Sequence, residues 1–272
     1  PFGDGRVLAR KLAAGHPLIA VNLELTDHCN IRCKMCSQSM RDEAHGVPER
    51  FMEWSTWTAL LEGLEDMDDE VHLCPHWLGE PTIHPQFDQF VEYAFAVNEG
   101  GRLFKEFKLH TNAVVLSEKR AELLVRLANS PHVDPSCFRS IHFSIDSFSR
   151  EAYTEVKGRD HRDKVFANVE RFLRVRESMG AVLPYAHLAF VVQPDNAHEA
   201  LAFRDHWVDI LEVLGRPHDV CYDWPHRDRD ALYFRPLNTS DQDASDALHA
   251  RVCHELGLVA DGQQRLRAAG SF

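Results

Sequence analysis

Apolar residues recur along this chain with two periods, and the two periods alternate. Short runs with period-2 or continuous apolar character read as strands over Ala20–Thr26, Glu70–Cys74, Glu106–Thr111, Ser140–Asp146, Tyr185–Val192 and Asp219–Asp223. Between them, apolar positions three and four apart read as helices over Trp54–Glu65, Phe87–Asn98, Ser117–Ala128, Arg162–Met179 and Ala197–Leu214, with a last helix over about Gln242–Leu256. Ser55 and Thr56 supply capping chemistry for the first helix, Ser117 with Glu118 opens the third, and glycines at 100–101, 180 and 215 follow helix ends. Strand and helix in alternation predict an α/β fold with a mostly parallel sheet. No internal repeat or low-complexity segment interrupts the pattern.

Read with period 2, one face of each strand is polar. It carries Asn22 and Glu24; His72 and Cys74; Lys108 and His110; His142, Ser144 and Asp146; Tyr185 and His187; Cys221 and Asp223. The positions between them are mostly Leu, Val, Ile and Phe, suited to packing under helices. A polar interior is costly unless it meets water, a ligand or internal partners. The pattern therefore predicts a small polar substrate rather than a lipid, with Glu24, His72, His110, His187 and Asp223 as substrate-binding candidates. A satisfied core histidine is the alternative for each His, and a register error of one residue would invert the faces.

Length and charge narrow the classes. A chain of 272 residues suffices for one sizeable core. The net charge of −12, without a Lys/Arg-rich run, argues against nucleic acid as a partner. No apolar run approaches the roughly 18 residues of a membrane span, and Arg10 and Lys11 with a short apolar stretch do not make a signal peptide. Seven cysteines without an even, close-spaced framework predict a reducing, cytoplasmic setting rather than a disulfide scaffold.

The densest chemistry is Cys29-Asn30-Ile31-Arg32-Cys33-Lys34-Met35-Cys36, a C-x3-C-x2-C spacing on the loop that leaves the first strand. A loop can curl its thiolates around one centre, whereas a strand would point alternate side chains apart. Three thiolates are one short of the four that a structural zinc or an ordinary iron–sulfur cluster takes, and the next cysteine is the distant Cys74. A three-thiolate [4Fe–4S] cluster leaves one iron open to hold and reduce a ligand. Three core cysteines brought close by chance are the alternative.

The loop resembles the hallmark of the radical S-adenosylmethionine (SAM) enzymes, with Met35 where much of that family has an aromatic residue. Leu78-Gly79-Glu80-Pro81 resembles the family's GGEP segment, with Leu78 replacing the first glycine. Thr111-Asn112-Ala113 resembles its TNG turn, with Ala113 for glycine; a simple Asx turn is the alternative. Ser144 and Asp146 end a strand where the family holds ribose hydroxyls. Glu151 to Gly158 resembles an E-x-Y-x-x-x-R-G segment of the branch that often carries SPASM or twitch auxiliary-cluster domains, with Lys157 in place of Arg. Gln193-Pro194-Asp195-Asn196 resembles a segment whose Asn touches SAM, while Asn196 or Asp195 as a helix N-cap is the alternative.

The resemblance implies a partial (β/α)6 TIM-like barrel over 20–225, an N-terminal extension over 1–19 and a short, helical C-terminal extension over 226–272. It implies a [4Fe–4S] cluster on Cys29, Cys33 and Cys36 whose open iron chelates SAM. Electron transfer from a flavodoxin- or ferredoxin-like donor then cleaves SAM to a 5′-deoxyadenosyl radical. Gly79, Glu80, Pro81, Thr111, Asn112, Ser144, Asp146, Lys157 and Asn196 become the SAM-contact candidates, with Arg159 as an alternative to Lys157 for the SAM carboxylate.

Cys74, Cys137, Cys221 and Cys253 include no C-x2-C pair, so no second cluster is expected from them. A thiol can also return a hydrogen atom to a substrate radical. Cys221 is the first candidate, followed by Cys74 and Cys253, against the simple alternative of small buried residues. The combined expectation is a radical SAM enzyme that abstracts hydrogen from a sugar, aminocyclitol or nucleoside in a biosynthetic pathway, giving epimerisation, dehydrogenation or elimination. Two alternatives stand beside it. One is a peptide-modifying maturase, for which the segment before Cys29 is short. The other is a non-catalytic iron–sulfur or zinc protein, which requires four protein ligands and no SAM affinity.

Overall fold

A computed structural model describes residues 18–39, 50–66, 70–222, 224–226 and 228–258. The substrate candidate Asp223, residues 1–17 of the expected N-terminal extension and residues 259–272 lie outside the described residues. Strands β1 (Leu18–Asn22), β2 (Glu70–Cys74) and β3 (Glu106–Phe107) pair in that order. Strands β4 (Leu109–Thr111), β5 (Ser140–Ser144), β6 (Tyr185–Val192), β7 (His218–Cys221) and β8 (Asp230–Pro236) form a second sheet in the order β4-β5-β6-β8-β7. Every ladder is parallel. Only Lys108 separates β3 from β4, and its N–H donates to Leu73 O at 2.9 Å, so one strand line carries both sheets. The result is an α/β fold of parallel strands, as a partial TIM-like barrel requires.

Helices α1 (Trp54–Gly63), α2 (Phe87–Val97), α3 (Glu118–Ala128), α4 (Arg150–Lys157), α5 (Arg162–Ser178), α6 (Ala200–Val213) and α7 (Gln242–Glu255) supply the apolar faces of the core. Phe95, Phe104, Phe107 and Phe138 meet edge-on or tilted under β3, and Phe190, Phe203 and Phe234 do so under β6 and β8. Each fully buried Phe contributes roughly 1.5–3 kcal/mol.

The structure departs from the sequence pattern at four places. Ser55 and Thr56 lie inside α1; its N-cap is Glu53, which makes no side-chain cap bond. The segment 150–157 is helix α4, opened by Ser149 Oγ accepting from Ala152 N and closed by Gly158 at φ 67°. The side chain of Asn196 does not cap the following turn. Asp230–Pro236, to which the apolar pattern assigned no strand, is β8 and runs between β6 and β7. Its run Asp-Ala-Leu-Tyr-Phe is buried throughout, as a central parallel strand must be, and such a continuous run carries no period to read. Asp230 anchors the start of β8: Arg176 forks onto both its carboxylate oxygens at 2.8 and 2.7 Å, and Ala186 N donates to Oδ1 at 2.7 Å. Both side chains are fully buried.

Candidate active site

The cysteine loop leaves β1 and is clamped from two sides. On one side Glu80 N donates to His28 O at 2.9 Å, and Glu24 Oε1 accepts from Leu78 N and Gly79 N at 2.7 and 2.6 Å. Glu24 thus holds the 78–79 backbone. A Cβ on Gly79 would stand 1.9 Å from Thr26 O, so only glycine lets the two loops approach. On the other side Arg32 N and Lys34 N donate to Lys157 O and Val156 O, each at 2.9 Å. A Cβ on Gly158 would lie 2.2 Å from Arg32 O.

Pro81 opens a 3-10 turn, Pro81–Ile83, and Glu80 beside it is 3% exposed. Its Oε1 accepts from Thr111 Oγ at 2.7 Å and Thr82 N at 3.1 Å, and Oε2 accepts from Asn112 N at 2.7 Å. Burial raises the Glu80 pKa even so, the hydrogen bonds working the other way. The Gly-Glu-Pro turn and the Thr-Asn turn are therefore one unit. Asn112 extends it to the cysteines: its Nδ2 donates to Asn30 Oδ1 at 2.7 Å and stands 3.7 Å from Cys29 Sγ. Ala113 takes φ 60° where the family turn has glycine.

The β5 end forms a second unit. Asp146, two residues past the end of β5 and at φ 60°, turns its carboxylate inward, fully buried beside the equally buried Lys157. Lys157 Nζ pairs with Asp146 Oδ2 and donates to Ser144 O and Oγ at 2.9 and 3.0 Å, which uses its three donors. Burial works against the ammonium, but the Asp146 carboxylate holds its pKa above the ordinary value. Val191 N donates to Asp146 Oδ1 at 2.7 Å, and Asn196 Nδ2 donates to Asp146 O and Val191 O at 2.6 and 2.9 Å. Ser144, Asp146, Lys157 and Asn196 are thus brought together, chiefly through one another.

Cys29, Cys33 and Cys36 face these units, partly buried. Burial first, and Glu80 second, push the Cys29 thiol up to about 12. Burial pushes Cys33 up to about 11, with Lys157 opposing. Such thiols ionise when a metal replaces the proton. No group of three His, Cys, Asp or Glu among the described residues converges on a single ion. Asn30 Nδ2 and the Tyr153 hydroxyl are buried here without a hydrogen-bond partner among the described residues, two donors suited to electron-rich sulfur. The donor set fits a [4Fe–4S] cluster with three protein thiolates.

Below lies a histidine rung. His110, His142 and His187 are direct register partners across β4, β5 and β6. His110 stacks on His142 at 4.2 Å, and His142 lies 3.4 Å from His187, nitrogen to nitrogen. In the next layer toward the cysteines, Ser144, Ala189, Tyr233 and Cys221 are register partners. The Tyr233 hydroxyl is 3.1 Å from His142 Nδ1, and Trp224 stacks on its ring. His72 sits to one side, paired with Glu106 at 2.7 Å. Cys74 Sγ is 3.5 Å from His76 Nδ1, Cys221 Sγ is 3.6 Å from Leu232 O, and Cys253 lies away on α7 against His249. The sequence pattern does not mark Tyr233, Trp224 or Tyr153 as site residues. Tyr233 lies in β8, whose register could not be counted, and Tyr153 lies on the unassigned α4.

Burial lowers His76 to about 4 and His110 and His142 well below 6.5. A histidine with lowered folded pKa takes up protons more readily when unfolded. Its contribution to stability is whole above 6.5 and is lost as pH falls from there toward the folded value. Each such His steepens the acid limb by up to about 1.4 kcal/mol per pH unit. Urea unfolding at about pH 7.5 and about pH 5 should show a marked acid loss that His110→Gln/His142→Gln reduces. An unchanged acid loss in that variant would count against buried, neutral imidazoles at His110 and His142.

The profile of the Radical SAM superfamily matches residues 23–185, more than half of the chain. The tungsten-containing aldehyde ferredoxin oxidoreductase cofactor-modifying protein of Pyrococcus furiosus is 25% identical over 174 residues, 64% of this chain and 44% of that protein. A GTP 3′,8-cyclase of Chlorobaculum tepidum is 25% identical over 161 residues, 58% of this chain and 42% of that one. The chain spans less than half the length of these curated relatives. Among solved structures, a tagged form of anSMEcpe with bound AdoMet matches with a TM-score of 0.57 at 14% identity, covering 88% of this chain and 59% of that one. No helix among the described residues is long and apolar enough to cross a membrane.

Proposed function

The chain belongs to the radical SAM superfamily, and from that premise we propose that it abstracts a hydrogen atom from a carbon centre of a small polar metabolite. Enzymes of this family use a [4Fe–4S] cluster, SAM and an electron donor. When bound, the two cofactors supply the 5′-deoxyadenosyl radical that takes the hydrogen. Cys29, Cys33 and Cys36 would hold the cluster. The Glu80–Thr111–Asn112 unit and the Ser144–Asp146–Lys157–Asn196 unit, next to these cysteines, would position SAM, with Gly79 and Pro81 shaping the turn. A flavodoxin- or ferredoxin-like protein fits as the donor.

The observation that carries the substrate class is the histidine rung, in which burial holds His110 and His142 neutral, with Ser144 and Tyr233 above it. Neutral imidazoles, a hydroxyl and a phenol exchange hydrogen bonds with hydroxyls and amines without demanding a counter-charge. A sugar, aminocyclitol or nucleoside meets that surface, and one relative is named for a nucleotide substrate, GTP. Cys221, in the Ser144–Tyr233 layer, is the hydrogen-atom donor if the product is an epimer; dehydrogenation and elimination need none.

The test is SAM cleavage by the reconstituted, reduced protein, offered sugars, aminocyclitols, nucleosides and, separately, peptides. Deuterium should pass from a carbon-deuterated small polar substrate into 5′-deoxyadenosine. His142→Ala should cut that transfer by at least tenfold while leaving iron content unchanged. Transfer only from peptides would replace this reading with peptide maturation.

A further inference from the structure

The Tyr153 hydroxyl has no structural use among the described residues. Tyr153 is fully buried, and its oxygen has no hydrogen-bond partner there. Buried phenols usually find one. Its place in the fold says what the partner is. On α4, Tyr153 stands three and four residues before Val156 and Lys157, so the three share one face. The carbonyls of Val156 and Lys157 receive the amides of Lys34 and Arg32, the residues on either side of Cys33. One turn of helix thus docks the cysteine loop and carries the orphan hydroxyl on the same face. The phenol's electrostatic surroundings agree: burial pushes it up to about 12, and the nearby groups acting on it are Lys157, Cys33, Asp146 and Cys29. Lys157 cannot serve the sulfur in its place, because its donors go to Ser144 and Asp146.

We propose that the Tyr153 hydroxyl donates a hydrogen bond to the Cys33 sulfur of the bound cluster and thereby raises the cluster's reduction potential. The inference rests on the cluster assignment made above. A hydrogen bond to a ligating thiolate draws negative charge from the cluster and favours the reduced form, which carries one more electron. Tyr153 is a positioning and tuning residue in this role and touches no reacting atom of a substrate.

The experiment is a mediated dithionite titration of the reconstituted, SAM-free protein, followed by the electron paramagnetic resonance of the reduced cluster. Wild type is compared with Tyr153→Phe and with a protein carrying a ring-fluorinated tyrosine at position 153 alone. Removal of the hydroxyl should move the potential negative, by a shift approaching a tenfold fall in the ratio of reduced to oxidised cluster at fixed poise, about 59 mV for a one-electron couple. The fluorinated ring has a more acidic hydroxyl and should move it positive. Opposite signs support the hydrogen bond, because a packing role would not produce them. Equal potentials in all three proteins, or shifts of the same sign, overturn it. If Tyr153→Phe loads no iron, the sign of the fluorotyrosine shift decides alone. A wild-type protein that loads no iron overturns the cluster assignment, and this inference with it.

Discussion

Replacing Lys157 with Met should destabilise the protein by about 3–5 kcal/mol, the range for removing one partner of a buried ion pair. Asp146 would keep Val191 N and Ser144 Oγ as donors but lose its only charge partner among the described residues, at a site with no exposure. Much of the loss is the cost of a stranded carboxylate, so Asp146→Asn/Lys157→Met should recover a large part of it. Urea unfolding of the wild type, both single variants and the double variant measures the coupling. Strictly additive losses would contradict the paired arrangement. Because the carbonyl of residue 157 seats Arg32 N, the single variant should also reconstitute with less iron than wild type.

Gly158→Ala should abolish cluster assembly, and Gly180→Ala should not. Both glycines end helices at similar backbone angles, φ 67° and 61°, so both alanines pay a similar left-handed strain of roughly 1–2 kcal/mol. They differ in what surrounds them. Nothing lies within 4 Å of the Cβ at 180, whereas at 158 the Arg32 carbonyl would be 2.2 Å away. That contact sets a Cβ, whose position the backbone fixes, against a backbone carbonyl, so no rotamer change relieves it; the cysteine loop must move. Gly79→Ala meets Thr26 O at 1.9 Å and should displace the same loop from the other side. Iron per chain after reconstitution separates the cases. Iron retained at wild-type level in Gly158→Ala would show that the loop does not depend on this clamp.

Much of this arrangement was legible before any coordinates. The alternation of periods placed β2, β6 and the helices α2, α3 and α5 to within a residue or two. Ser117 caps α3 as its position suggested, its Oγ accepting from Arg120 N. The inner histidines were readable because a strand alternates its faces, so His110, His142 and His187 fell on one side once the strands were placed. What escaped has a physical cause in each case. β8 is buried on both faces, so its apolar run lacks alternation. The helix α4 is only eight residues long, and the charges on its outer face mask the cap signature of Ser149 and Gly158. The sequence also could not say that Glu24 would spend its carboxylate on the 78–79 amides, or that Lys157 and Asp146 would satisfy each other. Both are pairings between residues far apart in the chain, and no local pattern encodes them.

The most direct measurement is anaerobic reconstitution with iron and sulfide counted per chain, followed by reductive SAM cleavage, in wild type and in Cys29→Ala/Cys33→Ala/Cys36→Ala. The expected result is about four irons per chain and 5′-deoxyadenosine from the wild type, with both lost in the triple variant. One tightly held zinc with no cleavage, or cleavage that survives the loss of all three thiols, would contradict the assignment of this loop as the cluster site.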